Sequence, residues 1–401
     1  MCIRDSTYGD EEKDLLEKHE AFIEITNEKL GIIQAWIPSN RISEVAELPF
    51  IRQITPPSYG TLRTGSVTTE GDAILTADVL RDQGFDGSGV EVGVISDGVD
   101  SRASAQATGD LPANVDIVTN AGSGDEGTAM LEIVHDLAPG AELSFCGGLT
   151  SSLAFIDCVE DLGAAGMDII VDDIGFFGEP YFEDGPVAQA VKGLLASVVY
   201  VSAAGNSAQT HYQNDFVGTN VFGFEDPGPP VRSLPEHNFG NAAGGSSDPT
   251  MDVLVGAGAT IVVVLQWNDP FGGSANDYDL LLVDEAETQV LTSSSASQDG
   301  NDDPIEALAF TNFLASTIRV KIVVVKFAGQ DKLLKFFLLP GNILVEEFNV
   351  PGGSIFGHPA VDGVLATGAI DASDSGNDDI ESFSSLGPSA IFFPAQETRQ
   401  K

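Results

Sequence analysis

Val90-Glu91-Val92-Gly93-Val94-Ile95-Ser96-Asp97-Gly98 is an apolar run broken only by one acid and one glycine, and it stops at an aspartate on a glycine-containing turn. A run of this kind, without polar alternation, reads as a strand covered on both faces. Working outward, similar runs recur at residues 115–118, 142–145, 169–171 and 198–203. Between them, apolar residues repeat at helical spacing over 127–137, 151–165 and 185–195, and a further helix is expected at 73–83. Buried strands alternating with amphipathic helices predict an α/β fold with a doubly wound, mostly parallel sheet. In such sheets, ligands and reacting groups sit beyond the carboxyl ends of the strands, where Asp97 falls.

The texture differs on both sides of this block. Residues 10–30 are charged and helix-prone, 31–38 and 51–54 read as strands, and 43–48 as a short helix. A unit this small (residues 1–57) buries too little surface to be robust alone and is expected to dock on something larger. Residues 58–72, rich in Gly, Thr and Ser, read as a linker, and 73–210 as the first part of the α/β domain. Residues 211–250 read as loop. From 251 to 350, short β-rich runs at 253–254, 260–267, 278–283, 289–291, 317–326 and 332–339 alternate with turn residues and no helix of useful length. Residues 211–352 are therefore expected to form an inserted β-sandwich-like domain, with 353–401 returning to the α/β domain.

Composition narrows the function classes. The 401 residues carry 61 acids against 18 bases, a net charge of −43. That field repels phosphate backbones and argues against nucleic-acid binding. The longest apolar runs fall short of the ~20 residues of a membrane span. Cys2, Cys146 and Cys158 do not make a disulfide framework, and Cys158, on an apolar-periodic segment, is expected as a buried thiol. No signal peptide is visible at Met1-Cys2-Ile3-Arg4-Asp5-Ser6.

Four further stretches bear on chemistry. Asp125-Glu126-Gly127-Thr128 opens the helix whose apolar face is Ala129, Met130, Ile133, Val134 and Leu137. Glu126 reads equally as a carboxylate stabilised by the helix dipole and as an acid/base group. His135, two turns on, reads as packed or solvated. Val201-Ser202-Ala203-Ala204-Gly205-Asn206 ends a strand in small residues and presents an amide, read either as a turn or as an oxyanion donor. Asp172 and Asp173 end the run at 169–171 and are candidates for a substrate cleft or for supporting the acid/base pair. Asn276-Asp277-Tyr278-Asp279 offers hard oxygens that would suit Ca²⁺, though turn-forming Asx residues explain it as well.

Taken in order, these stretches resemble the subtilase superfamily. Ile95-Ser96-Asp97-Gly98 is similar to its strand-Asp segment, with the acid one residue late. Glu126-Gly127-Thr128 stands where the family has His-Gly-Thr, and Ala203-Ala204-Gly205-Asn206 matches its oxyanion segment letter for letter. Asp362–Ala369 and Phe383-Ser384-Ser385-Leu386-Gly387-Pro388 resemble the strand and loop preceding its nucleophile. The glutamate points to the sedolisin-like branch, although that branch places an aspartate at the position of Met130 and another at that of Asn206.

The resemblance implies a secreted serine-type endopeptidase acting on proteins or peptides and requiring no cofactor. It implies Asp97 and Glu126 as the acid/base pair and Asn206 as oxyanion donor. Residues 30–57 would be the tail of an inhibitory propeptide, cleaved within 58–70. Gly-Thr-Ser, the family's nucleophile segment, occurs nowhere in the sequence. We therefore expect a C-terminally truncated chain, inactive as it stands. Two competing classes are a non-catalytic binding or adhesion protein that keeps the peptidase fold, and a doubly wound domain for a small anionic ligand. In the latter, the Gly-rich run 84–89 precedes a strand where a phosphate loop would follow one.

Overall fold

The computed structural model describes residues 2–4, 10–27, 29–55, 61–62, 70–226, 231–339, 341–374 and 376–401. They divide into two compact units. The first comprises Met1–Glu179, Pro186–Ser202 and Gly363–Leu365; the second comprises Pro180–Gly185, Ala203–Asp362 and Ala366–Lys401.

In the first unit, strands β1 (Glu91–Ser96), β2 (Asp116–Thr119), β3 (Glu142–Gly147), β4 (Ile169–Asp172) and β5 (Val199–Ala203) lie side by side in the order β5-β4-β1-β3-β2. All four pairings are parallel. Helices α1 (Glu126–Leu137), α2 (Ser152–Ala165) and α3 (Pro186–Leu194) follow β2, β3 and β4. The continuous apolar reading of β1 has its counterpart in burial: every residue from Val92 to Ser96 is buried. Val92, Val94, Leu131, Leu143 and Phe145 form one core cluster. Fully burying side chains of this size contributes ~1.5–3 kcal/mol each. The register sets Ile95 beside Asp172, so Ser96-Asp97 and Asp172-Asp173 leave the sheet at the same edge.

The helix expected at 73–83 is broken into Gly71–Leu75 and Ala77–Asp82 by Thr76, whose φ of 55° is left-handed. The helical expectation for 10–30 holds only over Asp10–Lys18; Phe22–Asn27 is a strand, paired with Ile32–Trp36. β-branched Ile23, Ile25 and Thr26 favour that state. With Cys2–Arg4 and Gln53–Thr55 they make a four-stranded antiparallel sheet over Leu16, Ile33, Ala35 and Val45. Of the expected linker, Thr61–Leu62 pairs with Ile174–Gly175; 58–60 and 63–69 lie outside the described residues.

The cysteine expectation is overturned. Cys146, at the end of β3, and Cys158, on α2, are joined in a disulfide with Cα atoms 5.6 Å apart. The helix returns over the strand it follows, which brings residues 12 apart within bonding reach.

The second unit is dominated by antiparallel sheets. One runs β6 (His211–Asp215), β13 (Leu333–Leu338), β8 (Thr260–Trp267), β11 (Ile305–Thr311). In the other, β12 (Ile318–Ala328) pairs with β7 (Met251–Val255) and with β9 (Asp277–Asp284), which carries β10 (Val290–Ser294) at its edge. Their inner faces meet in one core that includes Trp267, Tyr278, Phe336, Val263, Val253 and Ile322. Strand β11 and the polar strand β6, within the stretch read as loop, are additions to the sequence reading. Among the described residues, no helix is long and apolar enough to cross a membrane.

Candidate active site

Asp97 leaves β1 into the mouth of α1. Its Oδ1 accepts from the Gly98 N–H at 2.5 Å and from the Gly127 N–H at 3.3 Å, the latter in the first turn of the helix. The Asp97 carboxylate thus caps one of the unpaired amides at the start of the helix. Glycines make the fit: a Cβ at Gly124 (φ +133°) would overlap Asp97 Oδ2, and one at Gly127 would overlap the Phe145 ring and the Gly98 carbonyl. The run Gly122–Gly127 is thus shaped around one carboxylate.

Glu126 starts the same helix, half-buried. Burial, reinforced by the charge of Asp97, pushes its carboxyl above the ordinary glutamate range. Asp125 before it is spent on structure: it accepts from Ser101 N at 2.5 Å, Ser101 Oγ at 2.8 Å and Thr128 Oγ1 at 3.2 Å. Those bonds, Ser101's first, hold it below the usual carboxylate range. His135 is well down the helix with a buried Nδ1 that has no partner, and it takes no part in the acid cluster.

Asp172 and Asp173 complete the group on the neighbouring strand. Asp172 Oδ1 accepts from the Ile174 N–H at 3.1 Å and from Ser202 Oγ at 3.0 Å. Asp173 is 7% exposed, and neither of its oxygens has a hydrogen-bond partner. Burial first, then the charges of Asp172, Glu126 and Asp97, push it up to about 7, while the Ser96 hydroxyl pulls the other way. Ser96 itself is fully buried, its hydroxyl without a well-formed hydrogen bond. Ser96 and Ser202 went unremarked in the sequence; their signal is their place at the ends of strands flanking Asp172-Asp173.

Asn206 belongs to the second unit. It follows Gly205, whose φ of 99° demands glycine. The segment is pinned on both sides: Ala204 N–H donates to the Thr367 carbonyl at 2.8 Å, Ser385 N–H to the Gly205 carbonyl at 2.7 Å, and Ser207 N–H to Ser385 Oγ at 3.1 Å. Ser384 and Ser385 are buried in these contacts.

The residues weighed for Ca²⁺ lie at the start of β9. Asn276 is occupied: its Nδ2 donates to Asp269 Oδ2 at 2.7 Å, and its Oδ1 accepts from the Gln330 N–H at 2.6 Å. Asp277 and Asp279 are raised by burial and neighbouring acids, Asp279 to about 7. Among the described residues, no group of three or more His, Cys, Asp or Glu side chains is arranged to hold a metal ion. With Asn276 already engaged, the trio does not fit a cation as it stands, and no step below uses one.

No protein-family model matches the sequence. No curated protein matches it. Among solved structures, the chain is similar to the CspB protease of Clostridium perfringens, at 12% identity over 80% of this chain and 76% of that one, with a TM-score of 0.44. It is also similar to EpiP, the epidermin leader peptide processing serine protease of Staphylococcus aureus: 13% identity, 52% of this chain, 60% of that one, TM-score 0.35. A lanthipeptide protease aligns at 18% identity over 37% of this chain and 52% of that one, with a TM-score of 0.26. All three neighbours are proteases.

Proposed function

We propose that this chain carries the acid/base half of a serine-type endopeptidase, in which Glu126 stands where a histidine is expected and Asp97 is its partner. The observation that carries the reading is the Asp97 carboxylate seated on the Gly127 N–H, one residue from a Glu126 whose carboxyl its charge raises.

Two neighbouring carboxyls that titrate together hold one proton between them over a range of pH. Glu126, whose carboxyl is raised by burial and then by Asp97, is the group that exchanges protons. As a carboxylate it takes the proton of a serine hydroxyl while the serine oxygen bonds to the scissile carbonyl carbon. As the acid it then returns that proton to the departing amine as the C–N bond breaks. Asp97 orients it, as the third member of a triad does. The role of Asn206 as oxyanion donor comes with the family resemblance. The family's Gly-Thr-Ser nucleophile segment does not occur in the sequence, and we assign no nucleophile among its residues.

The same reading makes the N-terminal sheet a propeptide and the protein a secreted one. Lys29 Nζ meets Glu160 Oε1 on α2 at 2.6 Å, and the Cys146–Cys158 bond suits an oxidising compartment.

The test is the reading frame itself. A Gly-Thr-Ser segment past Lys401, with protein hydrolysis by the longer polypeptide that falls on the order of 10²–10⁴-fold in Glu126→Gln, is the expected result. Its rate should also fall as pH drops through the range of the raised Glu126 carboxyl, where the base becomes protonated. No such segment, or a Glu126→Gln polypeptide as active as its parent, returns the chain to the class of binding proteins.

A further inference from the structure

Four carboxyls gather at one edge of the parallel sheet, yet the proposed chemistry uses two. Asp172 is accounted for: Ser202 and the Ile174 amide hold it, and Tyr200, fully buried, interacts with it as well. Asp173 is not. It is buried, its oxygens have no well-formed hydrogen bond among the described residues, and the groups that act on it are the Ser96 hydroxyl, Asp172, Glu126 and Asp97. A buried carboxyl without donors costs free energy that a fold avoids unless the group has a task. The register places it there by construction, since β1 and β4 run parallel with Ile95 beside Asp172, so Asp173 follows at the level of Ser96-Asp97.

We infer that Asp173 is a positioning residue for Glu126: a third carboxyl, buried at the sheet edge, that shares a proton with the Asp97–Glu126 pair and thereby sets which of them is ionised. Three carboxyls whose charges act on one another do not all ionise together. Asp97 accepts from the Gly98 and Gly127 amides. Asp173, buried and without a well-formed hydrogen bond among the described residues, keeps its proton to about neutrality. Glu126, half-exposed and raised by burial and then by Asp97, is the group that gives and takes a proton. A neutral Asp173 spares Glu126 a further like charge; an ionised Asp173 adds one. The inference rests on the peptidase reading for the purpose of the pair, but not for the coupling itself.

Carboxyl ¹³C NMR of the 401-residue chain, labelled at Asp Cγ and Glu Cδ, tests it by titration of the wild type, Asp173→Asn and Ser96→Ala. In the wild type, the Glu126 signal should show, besides its own transition, a second deflection near neutral pH where Asp173 ionises, the two steps separated by more than about 1 pH unit. Asp173→Asn should abolish the second step. Ser96→Ala, which keeps all three carboxyls, should move it to higher pH, because the hydroxyl that favours the ionised form is gone. A single Glu126 transition with the same midpoint in all three proteins overturns the inference. Coupling present in a parent polypeptide that hydrolyses nothing sinks the peptidase reading and leaves this one standing. Hydrolysis without coupling does the reverse.

Discussion

Asp173 in the parallel sheet and Lys335 in the sandwich are both buried, both ionisable, and both pushed to about 7, from opposite directions. Their neighbours differ. Lys335 is fully buried on β13; its amine donates to the Gly353 carbonyl at 2.9 Å and lies 5.2 Å from the centre of the Phe182 ring. His211, which burial, and then Lys335, lower to about 3, is a neutral imidazole at neutral pH. Lys335 is thus a long apolar stem with one satisfied donor, a piece of packing. Asp173 has no well-formed hydrogen bond among the described residues and three acidic neighbours, Asp172, Glu126 and Asp97. Burial perturbs both groups alike; only the company each keeps separates structure from chemistry.

The largest effect should come from the sandwich. A lysine lowered from 10.5 to about 7 is neutral in the fold and charged in the unfolded chain between those values. The unfolded state then binds the extra proton, so stability is full above the ordinary lysine value and lost as pH falls toward 7. At 1.36 kcal/mol per pH unit the span is about 5 kcal/mol. Lys335→Met should remove this slope in urea unfolding measured between about pH 7 and pH 10. It also strips the Gly353 carbonyl of its donor, at a pH-independent cost of ~1–3 kcal/mol. A slope that survives the substitution would mean that Lys335 is not the group responsible.

Asp173 should give a mirror image of slightly smaller size. Its carboxyl goes from 3.8 to about 7 on folding, so the folded state holds the proton that the unfolded chain has lost. Stability from this group is full below the ordinary aspartate value and is lost as pH rises through the interval, by about 4 kcal/mol. Asp173→Asn keeps the shape without the charge and should stabilise the first unit at pH 8 while leaving it unchanged near pH 3.5, read by hydrogen exchange of β1 and β4 amides. If the variant is no more stable at pH 8, the buried carboxyl is solvated and the sheet and the sandwich do not differ as described.

What the sequence made legible follows the same division. Strand β1 and helices α1, α2 and α3 were readable because period and burial agree: apolar without interruption in a strand covered on both sides, one apolar face in each helix. In the sandwich β8 was readable for the same reason. Strand β11, Ile305-Glu306-Ala307-Leu308-Ala309-Phe310-Thr311, was not: two alanines and a glutamate dilute its β signal. Glu306 is buried because Ser294 Oγ, the Ala296 N–H and Gln298 Nε2 all donate to it, partners that no local pattern reveals. In the candidate site, Asp97 and Glu126 stood out by order and residue type. The isolation of Asp173 depends on the register of β1 against β4, and the Cys146–Cys158 bond on the path of α2 over β3. Contacts between elements are invisible to periodicity within one.

That disulfide gives the smallest and most selective of the three effects. Closing a loop between residues 12 apart removes unfolded-chain entropy worth about 3 kcal/mol. Both cysteines lie in the first unit, Cys146 at the edge where Ser96-Asp97 emerge and Cys158 on the helix that packs against β3, and the second unit has none. Reduction, or Cys158→Ala, should therefore lower the stability of β1, β3 and α2 amides by that amount while β8, β12 and β13 amides exchange as before. Equal losses in both units would show that they unfold as one cooperative block. A loss confined to the first would show that the sheet carrying the carboxyls has its own stability, set in part by a covalent tie that the apolar core of the sandwich does without.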